Sequence, residues 1–260
     1  MKNTDHDKSR ISGVKDLEKK TAVIFQNKYY YHIAFIGGFI VPFLIGLIYG
    51  RPLGAVLWGT FLRITLVHHA TFLINSLCHY SGRRTYDANS SSRDSWFISL
   101  FTFGEGYHNY HHKFPSDFRN GVKWFAYDPS KWIINILAFF GITYDLRKVK
   151  DHVIWENHLN SIKTQLSEKF NQSAENCKTF YHNKVEQLHE NAESVFTSWK
   201  EMERKYTNLV AAGKAKNKAI LNELRKERKE YKAQLSEIKR NLNRIMLNVK
   251  RNRLRPELTF

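Results

Sequence analysis

Between Ile33 and Gly50 the chain reads IAFIGGFIVPFLIGLIYG, eighteen residues without a charge. That is close to the length a helix needs to cross the hydrocarbon core of a bilayer. Gly37, Gly38, Pro42 and Gly46 each weaken a helix in water but are commoner in membrane-spanning ones. Alone, the run also fits a buried core helix. A second apolar segment, LGAVLWGTFLRITLVHHATFLINSLCH from Leu53 to His79, argues for a membrane instead. Only Tyr49-Gly50-Arg51-Pro52 separates the two, so a tight turn and an antiparallel hairpin are expected. Lys15, Lys19, Lys20 and Lys28 precede the hairpin, and Arg83 and Arg84 follow it. The positive-inside rule then puts both ends in the cytoplasm. Arg63, near the middle of the second segment, is expected to face protein or a polar cavity.

As one helix the second segment is roughly 40 Å long, at about 1.5 Å per residue. The hydrocarbon core takes up only roughly 30 Å. Its C-terminal end is therefore expected to project into the cytoplasm, carrying Asn75 and His79 on one helix face, four residues apart.

The rest of the chain is different in kind. Forty-one Lys and Arg against twenty-four Asp and Glu leave a formal charge of +17, which calls for an acidic partner such as an anionic membrane surface. No recognition motif accompanies the lysines, so nucleic acid is not expected. The only cysteines, Cys78 and Cys177, lie far apart, which excludes a disulfide framework and suits a reducing compartment. The first twenty residues hold no apolar core, so no cleavable secretory signal is expected. From Asp151 to Arg255 there is no proline and one glycine, Gly213. One apolar set runs Cys177, Tyr181, Val185, Leu188, Ala192, Val195, Trp199, Met202, Tyr206, Leu209, and a second Leu235, Ile238, Leu242, Ile245, Val249. Such three- and four-residue steps predict either an amphipathic helix folded back at Gly213 or a coiled coil that self-associates or docks a partner. The expected class is an all-α membrane protein in four parts. These are a polar segment at 1–28, a transmembrane hairpin at 29–80, a histidine-bearing cytoplasmic part at 81–150 and a charged helical tail at 151–260. Within the third, Trp132 to Tyr144 is too short to span and reads as an interfacial or re-entrant helix, with Trp124, Phe125, Tyr127 and Trp132 at headgroup level.

The third part carries the chemistry. In GEGYHNYHH, residues 104 to 112, a helix would place His108, His111 and His112 at i, i+3 and i+4. Neutral imidazole is the commonest metal ligand, and His79 at the end of the projecting helix is the natural fourth nitrogen. Asn75 can bind directly or through a water, and Glu105 can accept from a ring N–H. Imidazole ligation suits iron, copper or zinc, and the motif does not choose among them. The bland alternative is a solvated histidine patch.

These stretches, in order, resemble the C-terminal half of the membrane acyl-CoA (fatty acid) desaturases: KDLEKKTAVIFQNKYY, GTFLR, ATFLINSLCH, GRRTYDANSSSRDSW, GEGYHNYHHKFPSDFRNG and DPSKWIINILAFFGITYDL. HNYHH matches the third histidine box of that family. The resemblance implies a helical membrane protein whose cytoplasmic cap holds two irons (Fe2+) and uses O2 to introduce a double bond into a fatty acyl-CoA. It implies that His79, His108, His111 and His112 are iron ligands and that Asn75 holds a metal-bound water. Thr71 and Phe72 match a Thr-Trp pair at the bend of the acyl tunnel, with Phe72 departing from the tryptophan. The electron donor would be a separate protein of the cytochrome b5 or ferredoxin kind, since nothing in the tail resembles a carrier domain. The family's first two boxes belong upstream of residue 15, where this sequence has only His6. The chain is therefore expected to hold half of a di-iron site: a truncated or split product completed by a separate N-terminal half, or a remnant. The alternatives to a desaturase are a histidine-box lipid hydroxylase and a catalytically silent membrane anchor presenting the helical tail.

Overall fold

A computed structural model describes residues 19–170, 175–211 and 218–250. The chain divides into two compact units, with the division between Ala70 and Thr71.

In the first unit, helix α1 (Thr21–Lys28) leads into an apolar rod. There α2 (Tyr30–Phe35), a π-helical stretch (Ile36–Ile40) and α3 (Val41–Ile48) follow one another without a break. The chain reverses at Gly50, whose φ of +68° is a conformation that glycine adopts freely. It then begins a second rod through α4 (Pro52–Val56), another π-helical stretch (Leu57–Leu62) and α5 (Arg63–Tyr80). Arg51 N donates to Gly46 O at 2.8 Å and closes the turn. A Cβ on Gly46 would lie 2.6 Å from Ala55 Cβ and 2.7 Å from Pro52 Cα, so this glycine is what lets the rods meet there. Further along, the Thr60 hydroxyl donates to the carbonyl of Gly38. Arg63 Nε donates to Gly59 O in its own helix at 3.0 Å.

The rods are not core helices of a soluble protein. Only 11 % of the apolar window in Tyr30–Ile48 and 6 % of that in Pro52–Tyr80 is buried within the chain. Ile36, Ile48, Leu53, Trp58, Leu66 and Phe72 are among the large side chains left bare. Surface of that kind is stable only against lipid or other apolar partners. With helices throughout and no strand among the described residues, the chain is an all-α membrane protein.

The second unit starts with the last turns of α5. A loop follows in which Arg83 and Asp94 exchange backbone hydrogen bonds at 3.0 and 2.8 Å. Then come α6 (Trp96–Phe101), α7 (His108–Lys113), α8 (Pro129–Phe139), α9 (Asp151–Phe170), α10 (Glu175–Ala211) and α11 (Lys218–Lys250). Buried Asp128 caps α8 through Lys131 N and accepts from Asn120 N and Gly121 N, pinning the segment before that helix. α8 is amphipathic: Lys131 is buried, whereas Ile133, Ile136 and Phe139 are exposed, with Trp124 and Phe125 bare nearby in sequence.

The tail forms a bundle of three helices. The heptad-like seams of α10 and α11 close on one core, with Tyr181, Val185, Ala192, Trp199 and Met202 packed with Leu235, Leu242 and Ile245. The place of fold-back expected at Gly213 lies outside the described residues. Two features depart from the sequence reading. Phe196, not Val195, is the fully buried residue of its turn. The segment 151–170 contributes a third helix, which adds Leu159, Ile162, Leu166 and Phe170 to the core. Ion pairs bind the three together: Lys163 to Glu186 at 2.8 Å, Lys200 to Glu156 at 3.1 Å, and both Arg228 and Lys232 to Asp151 at 2.6 Å.

His158 of α9 stands against the ring of Tyr86, 5.5 Å between centroids. Burial, and then the charges of Lys239 and Lys123, push its pKa down to about 3. The fold therefore keeps this imidazole neutral, while the unfolded chain protonates it below about pH 6.5. A depressed histidine removes stability as the pH falls below that value, at up to about 1.4 kcal/mol per pH unit. Lowering the pH from 7 to 5 should cost about 2 kcal/mol through this residue. Urea unfolding followed by helix content at both pH values measures the loss, and His158→Phe should shrink it by that share.

Candidate metal centre

His79 stands in the last turn of α5 and His108 and His112 are one turn apart on α7. Their ligand atoms all lie within 4.8 Å of one another. His108 Nε2 is the hub, 3.1 Å from His79 Nε2 and 3.0 Å from His112 Nε2. His111 stays outside this group, with ring centroids 6.5 Å from His108 and 5.9 Å from His112. Helix geometry explains the split. At about 100° per residue, positions i and i+4 lie about 40° apart, whereas i+3 falls on the other side, about 100° from i+4.

α7 has six residues, too few to hold a helix by itself. Its neighbours hold it. Asn109 and Tyr110, between the histidines, are 0 % and 1 % exposed. Asn109 Oδ1 accepts from Tyr86 N at 2.7 Å and Asp87 N at 3.1 Å, and its Nδ2 donates to the carbonyls of Asp87 and Ser92, each at 3.0 Å. Asp94 Oδ1 accepts from Tyr110 N at 3.0 Å and so caps the helix from a distant loop. Burial, against the pull of these hydrogen bonds, raises the Asp94 pKa to about 6. On the other side the Tyr110 hydroxyl donates to Asp117 Oδ2 at 2.8 Å. The ring of His79 is oriented by Ser91, whose Oγ lies 2.9 Å from Nδ1.

The other residues singled out from the sequence are placed as follows. Asn75 stands one turn before His79, and its Nδ2 donates to Thr71 O in the same helix at 3.1 Å. Glu105 accepts from Asn120 Nδ2 at 3.2 Å. Phe72 is 64 % exposed, and Thr71 is exposed beside it on α5. Ser91, Asp94, Asn109 and Tyr110 were not singled out. The one signal for them is that HNYHH interleaves its histidines with two large polar residues, which a merely solvated patch would not need.

The donor set fits a first-row transition ion. Among the described residues it offers three clustered imidazole nitrogens and no carboxylate. Metal–imidazole bonds of about 2.0–2.1 Å give a tetrahedral N···N edge of about 3.3 Å; the two edges at His108 Nε2, 3.0 and 3.1 Å, are close to it, and all three ligand atoms lie within 4.8 Å. Proton placement points the same way. A neutral ring has one N–H and one lone pair. His108 Nδ1 is buried with no hydrogen-bond partner, while its Nε2 faces two other Nε2 atoms. Tautomers cannot satisfy the Nε2 contacts together, because His108 Nε2 offers either one proton or one lone pair to two neighbours. A cation would accept the three Nε2 lone pairs and leave the His79 proton on Nδ1, beside Ser91 Oγ. Burial, then repulsion from His112, His79 and His111, pushes the His108 pKa down to about 4. The His112 pKa is likewise lowered, chiefly by burial. Both rings therefore offer lone pairs at neutral pH.

The profile of the fatty acid desaturase family matches residues 8–147, more than half of the sequence. The chain belongs to that family. It is 36 % identical over 159 residues to acyl-CoA desaturase 1 of Saccharomyces cerevisiae, covering 61 % of this chain and 31 % of the relative. It is 42 % identical over 144 residues to the probable acyl-CoA desaturase of Schizosaccharomyces pombe, covering 55 % and 30 %. It is 36 % identical over 150 residues to the stearoyl-CoA desaturase of Homo sapiens, covering 57 % and 42 %. The match thus spans less than half the length of these curated relatives. The family model takes in all of α5 to α8 and ends at residue 147, before α9 begins.

The Ser91 hydroxyl meets the ring of His79 at the nitrogen away from the cluster. Ser91→Ala should weaken divalent-metal binding by about tenfold, at the lower end for such outer partners, and His108→Ala should remove it. Titration of the purified chain with Co2+, followed by its visible absorption, measures both.

Proposed function

We propose that the chain supplies the C-terminal share of a membrane fatty acyl desaturase site, which introduces a double bond into a fatty acyl-CoA in unsaturated fatty acid biosynthesis. The convergence of His79, His108 and His112 on one point is the observation that carries this reading. Family membership and the names of the relatives support the acyl-CoA substrate.

In this reading His79, His108 and His112 hold one ion. His111, on the adjoining side of the same turn, faces a second. Iron bound there supplies the O2 chemistry that removes two hydrogens from an acyl chain. The chain's own residues position and exclude. Ser91 holds the ring of His79, Asn109 and Tyr110 fix the pitch of α7, and low basicity keeps the imidazoles of His108 and His112 neutral. Thr71, Asn75 and His79 follow one another at four-residue steps on α5. We assign Asn75 a water-mediated contact to the ion, and Thr71 with Phe72 to the path of the acyl chain. Three clustered imidazoles can complete one open site but not a pair of ions. The remaining ligands come from polypeptide outside the described residues, in the same chain or in a separate N-terminal half.

The basic residues flanking the hairpin support a topology with both ends in the cytoplasm. The bare faces of α6 and α8, with Trp96, Phe97, Trp132 and Ile136, support contact with the lipid interface. Electrons arrive from a separate carrier of the cytochrome b5 or ferredoxin kind.

The decisive experiment is acyl-chain analysis of membranes from aerobic cells. These cells express the chain alone or together with the upstream portion of a relative. New monounsaturated chains should appear with the wild type and vanish with His108→Ala. Hydroxylated chains instead would point to a hydroxylase. Absence of product in both settings, in protein purified without stoichiometric iron, would leave a membrane anchor.

A further inference from the structure

The histidine helix has its outermost supports on α9, which begins at Asp151, just after the family model ends at residue 147. Ile154 of α9 is buried in one cluster with Tyr110 and Phe114, the residues within and just after α7. Val149, at the approach to α9, donates its N–H to Asp117 Oδ2 at 2.8 Å. The same oxygen receives the Tyr110 hydroxyl. Further along α9, Ser161 Oγ and Gln165 Nε2 both donate to the carbonyl of Arg84, at 2.7 and 2.8 Å. Arg84 opens the loop whose Tyr86 and Asp87 amides hold Asn109 and whose Ser91 holds His79. Tyr86 closes the ring of contacts, with centroids 5.1 Å from Tyr110, 5.9 Å from Phe114 and 5.5 Å from His158. Both structures that orient the imidazoles therefore rest on the same face of α9. The adjoining face of that helix, about 100° further round, is built into the bundle core through Leu159, Ile162 and Leu166. Its first residue, Asp151, is clamped by Arg228 and Lys232 of α11.

We propose that the C-terminal three-helix bundle is part of the scaffold of the metal centre. Ile154, Ser161 and Gln165 of α9 are positioning residues that set the histidine helix and the Ser91 loop against each other. The bundle thereby couples anything that loosens or grips the tail to metal binding some distance away. The metal half of this statement rests on the reading given under Proposed function; the positioning half does not.

The test uses the full chain in lipid nanodiscs, with Co2+ as the probe. Ile154→Ala opens a hole between α9 and the rings of Tyr110 and Phe114. The Ser161→Ala, Gln165→Ala double variant cuts the tie to Arg84 without touching an apolar core contact. Each should speed amide hydrogen exchange at 107–114 and weaken Co2+ binding by about tenfold, within the usual range of coupling between sites. The melting of bundle helices should stay close to that of the wild type, and Ile154→Val should restore most of the loss. Where Ile154→Ala melts the bundle, the double variant alone decides. Unchanged exchange at 107–114 together with unchanged Co2+ affinity overturns the proposal. So does an affinity loss that follows bundle melting alone and is absent from the double variant. A wild-type chain that takes up no Co2+ defeats the metal reading, and the exchange comparison then still decides whether α9 positions the histidine helix.

Discussion

Three ring nitrogens held about 3 Å apart around one of their number are an uncomfortable arrangement. Neutral imidazoles repel there unless protons or a cation come between them, and charged ones repel more strongly. A helix of six residues cannot hold such a group in place by its own hydrogen bonds. Much of the second unit follows from that constraint. Asn109 commits its whole amide to the loop that runs from Tyr86 to Ser92. Tyr110 carries its hydroxyl to Asp117, and Asp94 caps the helix from across a two-residue bridge. The cluster is built by burying polar side chains that are fully paired, which gives orientation where a purely apolar packing would give only proximity.

The membrane-facing surface obeys a different rule. The two rods leave nearly all of their apolar area uncovered by this chain, yet they meet closely near the turn, where Gly46 accepts Ala55 and Pro52. Small residues at the contact and large ones outward is the pattern expected where lipid is as apolar as the protein and packing alone drives association. α8 has the same logic on a smaller scale. Lys131 turns inward onto the carbonyls of Gly121, Lys123 and Ala126, while Ile133, Ile136 and Phe139 turn outward. A buried lysine is tolerable here because three carbonyls receive its protons.

The spans were legible because an uncharged run of that length, followed at once by a second apolar segment, fits little besides a bilayer. The convergence of His79 with His108 and His112 was legible because helix spacing and projection length both pointed there. The different position of His111 follows from the helical turn but not from the motif, which reads the three as equals. Ser91 and Asp94 were invisible for a plainer reason. They are ordinary polar residues in a serine-rich loop, and their roles arise only when Arg83 and Asp94 pair across it. α9 was missed as a separate helix because it buries two faces. One carries Leu159, Ile162 and Leu166 into the bundle, and the other carries Ile154 and Ser161 toward the histidine helix. Apolar residues spread over two faces blur the single stripe on which recognition of an amphipathic helix depends.

The length of the second rod links the two themes. A helix of 29 residues rises about 43 Å, more than the roughly 30 Å of hydrocarbon. Asn75 and His79 sit in its last two turns, the part of such a helix that exceeds a hydrocarbon core. A rod shortened by two turns would keep its apolar character and still span. An imidazole at the end of a rod that short would need a partner within the bilayer. Within the second unit, His79 stands at the end of α5 against Ser91, while His108 and His112 stand on a short helix packed against α9.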